Sequence, residues 1–208
     1  MTTCYKLTNQ DNKTFGGCKW GEGVTHETSG EGGLCGPGWL HAYSNPLLAV
    51  FLNPIHAKIK NHKLWECIGD GRCLDDRGLK CGFTRLTTVK EISLPEVTTE
   101  QRVAFAILCA KEVYKDPEWS AWANEWLSGK DRTRESARAA ARAAAREDLS
   151  PGAAADAAEQ SAWTAVGAAD AVVWAAEVSA WAARAADLAA NSEADIDLVR
   201  IAKKAMEY

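Results

Sequence analysis

The chain lacks a charge excess, long apolar runs and any Cys-x-x-Cys pair. Its 208 residues carry 24 Lys and Arg against 28 Asp and Glu, a net charge of −4. This balance argues against a generic nucleic-acid binder, which normally has a basic excess, and against electrostatic attachment to a membrane. No run of about 18 apolar residues indicates a membrane span, and no secretory signal follows Met1. We therefore expect a soluble protein of the cytoplasm.

The seven cysteines are irregularly spaced and odd in number, which is typical of a reducing compartment rather than of a disulfide framework. A zinc ion needs about four ligands within tetrahedral reach. Folding would have to assemble such a set from Cys35, His41, His56 and Cys67. We expect instead that the thiols are small buried hydrophobes, and we expect neither a metal nor another cofactor.

The composition changes near residue 98. All four His and all seven Cys lie at or before Cys109, whereas residues 134–190 contain 26 Ala among 57 residues. Ala is the best helix former, so the second half predicts helices. We predict an α+β fold, with a small, mostly antiparallel sheet module over residues 1–97 and an Ala- and Trp-rich helical bundle over residues 98–208.

Short apolar or β-branched runs alternate with turn residues in the first module and predict its strands. These are Cys4–Thr8, Val24–Glu27, Trp39–Tyr43, Lys58–Lys60, Leu64–Ile68, Gly82–Thr87 and Val89–Leu94, with a turn over Gly69–Gly71. One short helix is predicted among them, because Asn45 is a good cap and Pro46 suits the first helical position. Pro54 is expected to end this helix.

Capping signals at Thr98, Asp116, Ser150 and Ser192 mark helix starts in the second half. The predicted helices cover residues 98–115, 117–128, 133–148, 151–190 and 193–207. Within the second of them, three tryptophans recur on one face, and we expect this face to be buried. They are Trp119, Trp122 and Trp126.

A cluster of Gly, aromatic and polar residues covers positions 34–47, which read Leu-Cys-Gly-Pro-Gly-Trp-Leu-His-Ala-Tyr-Ser-Asn-Pro-Leu. After Cys35 the chain has a Gly, an aromatic residue, His-Ala and then Asn-Pro-Leu. This order of residues resembles the N-terminal module of a family of uncharacterised phage and prophage proteins, and the resemblance covers residues 4 to 95. The resemblance implies a small α+β domain ahead of a biased tail. It also implies a location in the host cell cytoplasm.

Residues 38–43 and the helix after them also resemble the second strand and helix of ADP-ribosyltransferase-like folds, in which a strand after a Gly contributes to a nicotinamide pocket. This second resemblance implies an enzyme with a pocket around His41 and Tyr43. Lys6 occupies the region of that fold's early landmark, and Glu91 or Glu96 would have to supply its late Glu.

Four residues are candidate ligand contacts. Neutral imidazole donates and accepts hydrogen bonds near pH 7, so His41 could act as a base or touch a ligand. The plainer interpretation is a histidine bonded to a backbone carbonyl beside a strand end. Trp20, Trp39 and Tyr43 could form an aromatic wall for a flat ligand such as a nucleobase, or could pack in a small core.

A row of arginines is a second candidate surface. Arg134, Arg138, Arg142 and Arg146 recur every fourth residue, and their guanidinium groups match phosphates. The next predicted helix is acidic, however, so an antiparallel pair of oppositely charged helices is favoured over a nucleic-acid groove.

Three later tryptophans are candidate partner contacts. Trp163, Trp174 and Trp181 would fall in one stripe of a continuous helix, because 18 residues make about five turns. Tryptophan is enriched at binding hot spots, so the stripe could anchor the bundle or enter a partner's pocket.

These observations favour an accessory binding protein of phage or prophage origin that acts in counter-defence, either by inhibiting a host immune protein or by sequestering a nucleotide ligand. One alternative is an ADP-ribosyltransferase-like enzyme, and another is nucleic-acid binding through the arginine row. Self-association through the helical region is compatible with the first. No catalytic residue is assigned.

Overall fold

The computed structural model describes residues 1–145, 152–169 and 175–208. They divide into two units, Met1–Glu96 and Val97–Tyr208. The first contains an antiparallel sheet, one α-helix and a short 3-10 helix over Phe15–Gly17, and the regular elements described in the second are helices. The predicted α+β class is therefore confirmed.

Five antiparallel strands form the sheet of the first unit. They are β1 (Thr2–Thr8), β2 (Thr25–Glu27), β3 (Leu40–Ala42), β4 (Lys63–Asp75) and β5 (Cys81–Ile92). The spatial order is β1-β4-β5-β2, and the short β3 also pairs with β5. The long β4 and β5 are thus the frame on which the other three strands lie.

Two of the predicted strand boundaries are wrong. The predicted turn at Gly69–Gly71 lies inside β4, where the pairing with β5 shifts between Asp70 and Cys73. Gly71 has a φ of 75°, and the Arg72 amide donates to the Thr84 hydroxyl at 2.9 Å. These glycines mark a bulge that keeps the strand going. Likewise, the strands predicted over Gly82–Thr87 and Val89–Leu94 are one strand, β5.

The predicted strand Lys58–Lys60 is also wrong. The Asn53 side chain binds both backbone groups of Ile59, donating to its carbonyl at 3.0 Å and accepting from its amide at 3.1 Å. Lys58 adopts a φ of 53°, which is not a strand conformation. The side chain of Asn53 therefore holds this segment as a turn, because it occupies the groups that a sheet ladder would use.

Helix α1 (Pro46–His56) begins as predicted, with the Asn45 side chain accepting from the Leu47 amide at 2.9 Å. The expectation that Pro54 ends it is wrong, because α1 continues through Pro54 to His56. Proline lacks an amide donor and its ring crowds the carbonyl four residues earlier, yet α1 extends two residues beyond it. The Asn53 carbonyl still accepts from the amides of Ala57 and Lys58, which closes the last turn.

The described helices of the second unit are α2 (Thr99–Val113), α3 (Pro117–Leu127), α4 (Arg134–Ala144), α5 (Ala153–Ala169), α6 (Ala175–Ala190) and α7 (Leu198–Ala205). The predicted capping box is present, since Thr98 and Gln101 each satisfy the other's backbone amide. The expected burial of the α3 face is confirmed, and Trp119 is completely buried. None of the helices in the described ranges is both long and apolar enough to cross a membrane.

The single helix predicted over 151–190 is wrong. Helices α5 and α6 pack against each other, and a side chain at Gly167 would overlap the ring of Trp181. In one continuous helix these two positions would lie about 21 Å apart along the axis. The alanine spacing of two packed helices equals that of one long helix, so periodicity alone does not distinguish them.

The final helix starts later than its predicted first residue, Glu193. The Ser192 hydroxyl donates to the Ala189 carbonyl at 2.7 Å and so completes the end of α6. Asp197 is the true cap of α7, because its carboxylate accepts from the Arg200 amide at 2.9 Å.

Replacing Gly167 by Leu should destabilise the protein, because the new side chain would overlap Trp181. Overpacking of this kind typically costs about 1–3 kcal/mol. Urea unfolding followed by circular dichroism would measure the change.

The double substitution Gly167→Leu with Trp181→Ala is the matched control, and it should recover part of the loss by making room for the leucine. A continuous helix over this region predicts the reverse result for the single variant. Leucine has a higher helix propensity than glycine, so the variant would then be more stable than the parent.

Candidate functional site

A cavity of about 420 Å³ lies in the first unit, beside β1 and β3. Two tryptophans, a lysine, a histidine and two thiols are among its lining groups. The lining residues are Lys6, Thr14, Phe15, Cys18, Trp20, Cys35, Gly36, Pro37, Trp39, Leu40 and His41.

The two tryptophans are fixed by hydrogen bonds from their indole N–H groups. Trp20 donates to the Thr14 hydroxyl at 3.1 Å, and Trp39 donates to the Gly32 carbonyl at 3.1 Å. Both side chains are buried. The polar edge of each indole is thereby satisfied, and the rings border the cavity with little exposed surface, 2% for Trp20 and 5% for Trp39.

A close approach to the sheet positions Trp39. At Gly82 of β5 an added Cβ would overlap the Leu34 side chain and would lie 3.1 Å from the Trp39 Cβ. Only glycine, which has no side chain, leaves room for Leu34 and Trp39 at this position. The loop before β3 can therefore lie against β5, with Trp39 directed along the cavity.

Lys6 is the most unusual group at the site. Its side chain extends from β1, and the residue is only 7% exposed. The Nζ atom donates to the His41 carbonyl at 2.7 Å and lies 4.6 Å from the centroid of the Trp20 ring. Burial lowers the pKa of Lys6, because a desolvated ammonium is less stable than a hydrated one.

His41 lies on β3 opposite Gly82 of β5. Its Nε2 atom is hydrogen-bonded to the Leu34 carbonyl. A carbonyl only accepts, so Nε2 carries the proton and Nδ1 carries the lone pair. Burial lowers the pKa of His41, with the nearby Lys6 and Lys80 acting in the same direction, and the neutral imidazole is thereby favoured.

Tyr43 lies in a different environment and does not line the cavity. Its backbone pairs with Tyr5 of β1, and its ring stacks on His56 with the centroids 6.1 Å apart. Burial raises the pKa of Tyr43 and lowers that of His56 to about 4. The structure thus brings Trp20, Trp39 and His41 together and leaves Tyr43 apart.

Residues 2–100 match the family described as Domain of unknown function (DUF7666). A DUF7666 domain therefore covers this part of the chain. No curated protein and no solved structure matched the chain. All residues that line the cavity belong to the DUF7666 domain, so the cavity is a feature of this domain alone.

Several lining residues of the DUF7666 domain were not among the predicted contacts. These are Lys6, Thr14, Phe15, Cys18, Cys35, Gly36, Pro37 and Leu40. Strand alternation places Lys6 on the face of the buried Cys4 and Thr8, but Leu7 on the opposite face is buried as well, so alternation does not single out Lys6. No periodic signal exists for Phe15 and Cys35, which lie outside the strands.

The thiols of the DUF7666 domain differ in their surroundings. Burial raises the pKa of Cys4, Cys67 and Cys81 to about 12, so these thiols stay protonated near neutral pH. Cys35 is exposed and accepts a hydrogen bond from Lys80 Nζ at 3.3 Å. Within the described ranges, no three His, Cys, Asp or Glu side chains are grouped so that they could hold a metal ion.

The predicted arginine row lies on α4, outside the DUF7666 domain. Arg134 and Arg138 are half-buried, Arg142 is exposed, and Arg146 lies outside the described residues. The buried positions of α4 are four alanines, Ala137, Ala140, Ala141 and Ala144. Helix α4 packs against α5, its neighbour in the predicted pair.

The predicted tryptophan stripe is not a stripe on one helix. Trp163 lies on α5 and Trp181 on α6, and both are half-buried. Trp163 donates to the Glu159 carboxylate at 3.1 Å. Trp174 lies outside the described residues.

The buried ammonium of Lys6 should give the protein a distinctive pH dependence. The lowered pKa means that the folded state disfavours the ammonium, which dominates in the unfolded chain at neutral pH. The protonated Lys6 therefore lowers the free energy of unfolding. This loss is largest below the folded-state pKa and disappears as the pH rises past the ordinary lysine value of about 10.4. Relative to Lys6→Met, the wild type should therefore gain stability between pH 7 and pH 10.

Urea unfolding at several pH values would measure this difference, with the exposed Lys19→Met as the control for general charge effects. A stability difference between wild type and Lys6→Met that stays constant with pH would show that the Lys6 amine is not desolvated in the folded protein.

Proposed function

We propose that the DUF7666 domain binds a small, flat ligand in the cavity that Trp20 and Trp39 border and that the chain acts as a binding protein. The observation that carries this proposal is the cavity itself. Its volume of about 420 Å³ lies within the range of about 300–1,000 Å³ that is usual for small-molecule sites. Its indole rings and few polar groups match the composition of such sites.

The aromatic surfaces favour a planar ring system. Bases stack on aromatic side chains with about 1–3 kcal/mol each, and this stacking tolerates different bases. His41 and Lys6 supply polar contacts at the edge of the same cavity. A nucleobase or a similarly sized aromatic ring is therefore the ligand class that the lining fits best.

Phe15 gives independent support for an aromatic ligand. It is fully exposed and lies at the cavity, on a turn closed by the Thr14 amide donating to the Cys18 carbonyl at 2.9 Å. Gly16 and Gly17 follow it with positive φ values of 69° and 77°. Leaving a phenylalanine in water forgoes about 1.5–3 kcal/mol of burial energy. A ring bound in the cavity would cover it.

The biological setting is part of the proposal. The resemblance to phage and prophage proteins supports a role in counter-defence. Of the two forms of that role, sequestration of a nucleotide ligand suits a flat-ligand cavity better than inhibition of a host immune protein does. In this proposal the phage-encoded domain acts in the host cytoplasm and withdraws a nucleotide signal by binding it.

Calorimetry against nucleosides, nucleotides and aromatic acids tests the proposal, and quenching of the tryptophan fluorescence gives a second readout. Phe15→Ala should weaken binding about 5- to 150-fold, which corresponds to the loss of one stacking contact. Its melting temperature should be unchanged, because Phe15 is exposed in the folded protein.

Leu74→Ala is the matched control, since Leu74 is also an exposed apolar residue and does not line the cavity. Equal affinities for Phe15→Ala, Leu74→Ala and the parent would remove Phe15 from the site. The absence of saturable binding by every planar compound would overturn the proposed function.

A further inference from the structure

We infer that the ligand carries an acidic group and that the Lys6 ammonium binds this group inside the cavity. The inference rests on the proposed function and adds the charge of the ligand to it. The shared chemistry is an aromatic ring bearing a phosphate or a carboxylate.

Lys6 has more hydrogen-bond donors than its contacts in the protein satisfy. An ammonium has three N–H donors, and the His41 carbonyl accepts one of them at 2.7 Å. The Trp20 ring lies near the charge and provides a weak cation–π contact. Lys6 lines the cavity, so a bound acceptor can take a remaining donor.

Lys6 also lacks a carboxylate partner among the described residues. Over residues 1–145, 152–169 and 175–208, Lys6 makes no ion pair with a carboxylate within 4.0 Å. Other lysines of the domain do so near the surface, such as Lys63 with Glu91 at 3.5 Å and Lys90 with Glu66 at 3.7 Å. Lys6 is the more deeply buried cation and has the greater need of an anion.

Four thiols act on the charge of Lys6, namely Cys67, Cys18, Cys4 and Cys81, and they favour it only when they are ionised. Burial raises the pKa of Cys4, Cys67 and Cys81 to about 12, so these three are neutral at pH 7 and do not replace a carboxylate. The fourth, Cys18, lines the cavity itself, where the ligand would supply the negative charge.

This arrangement couples binding to protonation. Burial lowers the pKa of Lys6, and an anion beside Nζ would raise it again. Binding of an anionic ligand should therefore take up protons wherever the amine is partly neutral in the unliganded protein. Affinity should fall as the pH rises from the unliganded pKa to the liganded one, whereas a neutral analogue should show no such dependence.

The experiment compares matched charged and uncharged ligands by calorimetry. One arm uses nucleoside monophosphates with their uncharged nucleosides, and the other uses aromatic carboxylates with their amides. In at least one arm, the wild type should bind the charged member more tightly by about ten- to hundredfold, as expected for a hydrogen bond to a charged group. The arm with the larger preference distinguishes phosphate from carboxylate.

Lys6→Met should abolish this preference and keep the affinity for the uncharged ligand, and Lys19→Met should change neither. A circular-dichroism melt checks that Lys6→Met folds. Titrations of the wild type in buffers of different ionisation enthalpy measure proton uptake without any variant.

Equal binding of charged and uncharged ligands, together with no proton uptake, would overturn the inference and leave the proposed function intact. Binding of neither class would overturn both.

Discussion

The hydrogen bond from the Lys6 ammonium to the His41 carbonyl is the contact on which the candidate site depends. It links a side chain of β1 to the backbone of β3, two strands that belong to different edges of the β4–β5 frame. It also holds the charge over the Trp20 ring. One buried cation therefore links the histidine, the tryptophan and the cavity, and an anionic ligand would supply the carboxylate-like partner that Lys6 lacks among the described residues.

Local signals were sufficient to predict part of the fold. The caps at Asn45, Thr98 and Asp116 form as expected, because a capping side chain satisfies amides within three residues of itself. The packing of α5 on α6 was not predictable in this way, since a long helix and two packed helices share one alanine pattern. The Asn53 contacts that replace the predicted strand at Lys58–Lys60 could not be predicted from the sequence, because they depend on where helix α1 ends.

The candidate site was predictable to a similar extent. Trp39 and His41 stand out in the sequence, and the structure places both on the cavity. Tyr43 comes two residues after His41, so in a longer strand the two side chains would lie on the same face. However, β3 ends at Ala42, and the Tyr43 backbone pairs with Tyr5 instead. Lys6 could not be identified from residue type, because lysines are mostly exposed and long-range burial alone makes this one unusual.

The most direct test of the account is an NMR titration of the Lys6 side chain, with and without a planar anionic ligand. We expect Lys6 to titrate below the ordinary lysine pKa of about 10.4, and we expect the ligand to move its pKa upwards. A Lys6 amine that titrates at the ordinary lysine value and does not respond to any such ligand would contradict a desolvated ammonium that binds anions.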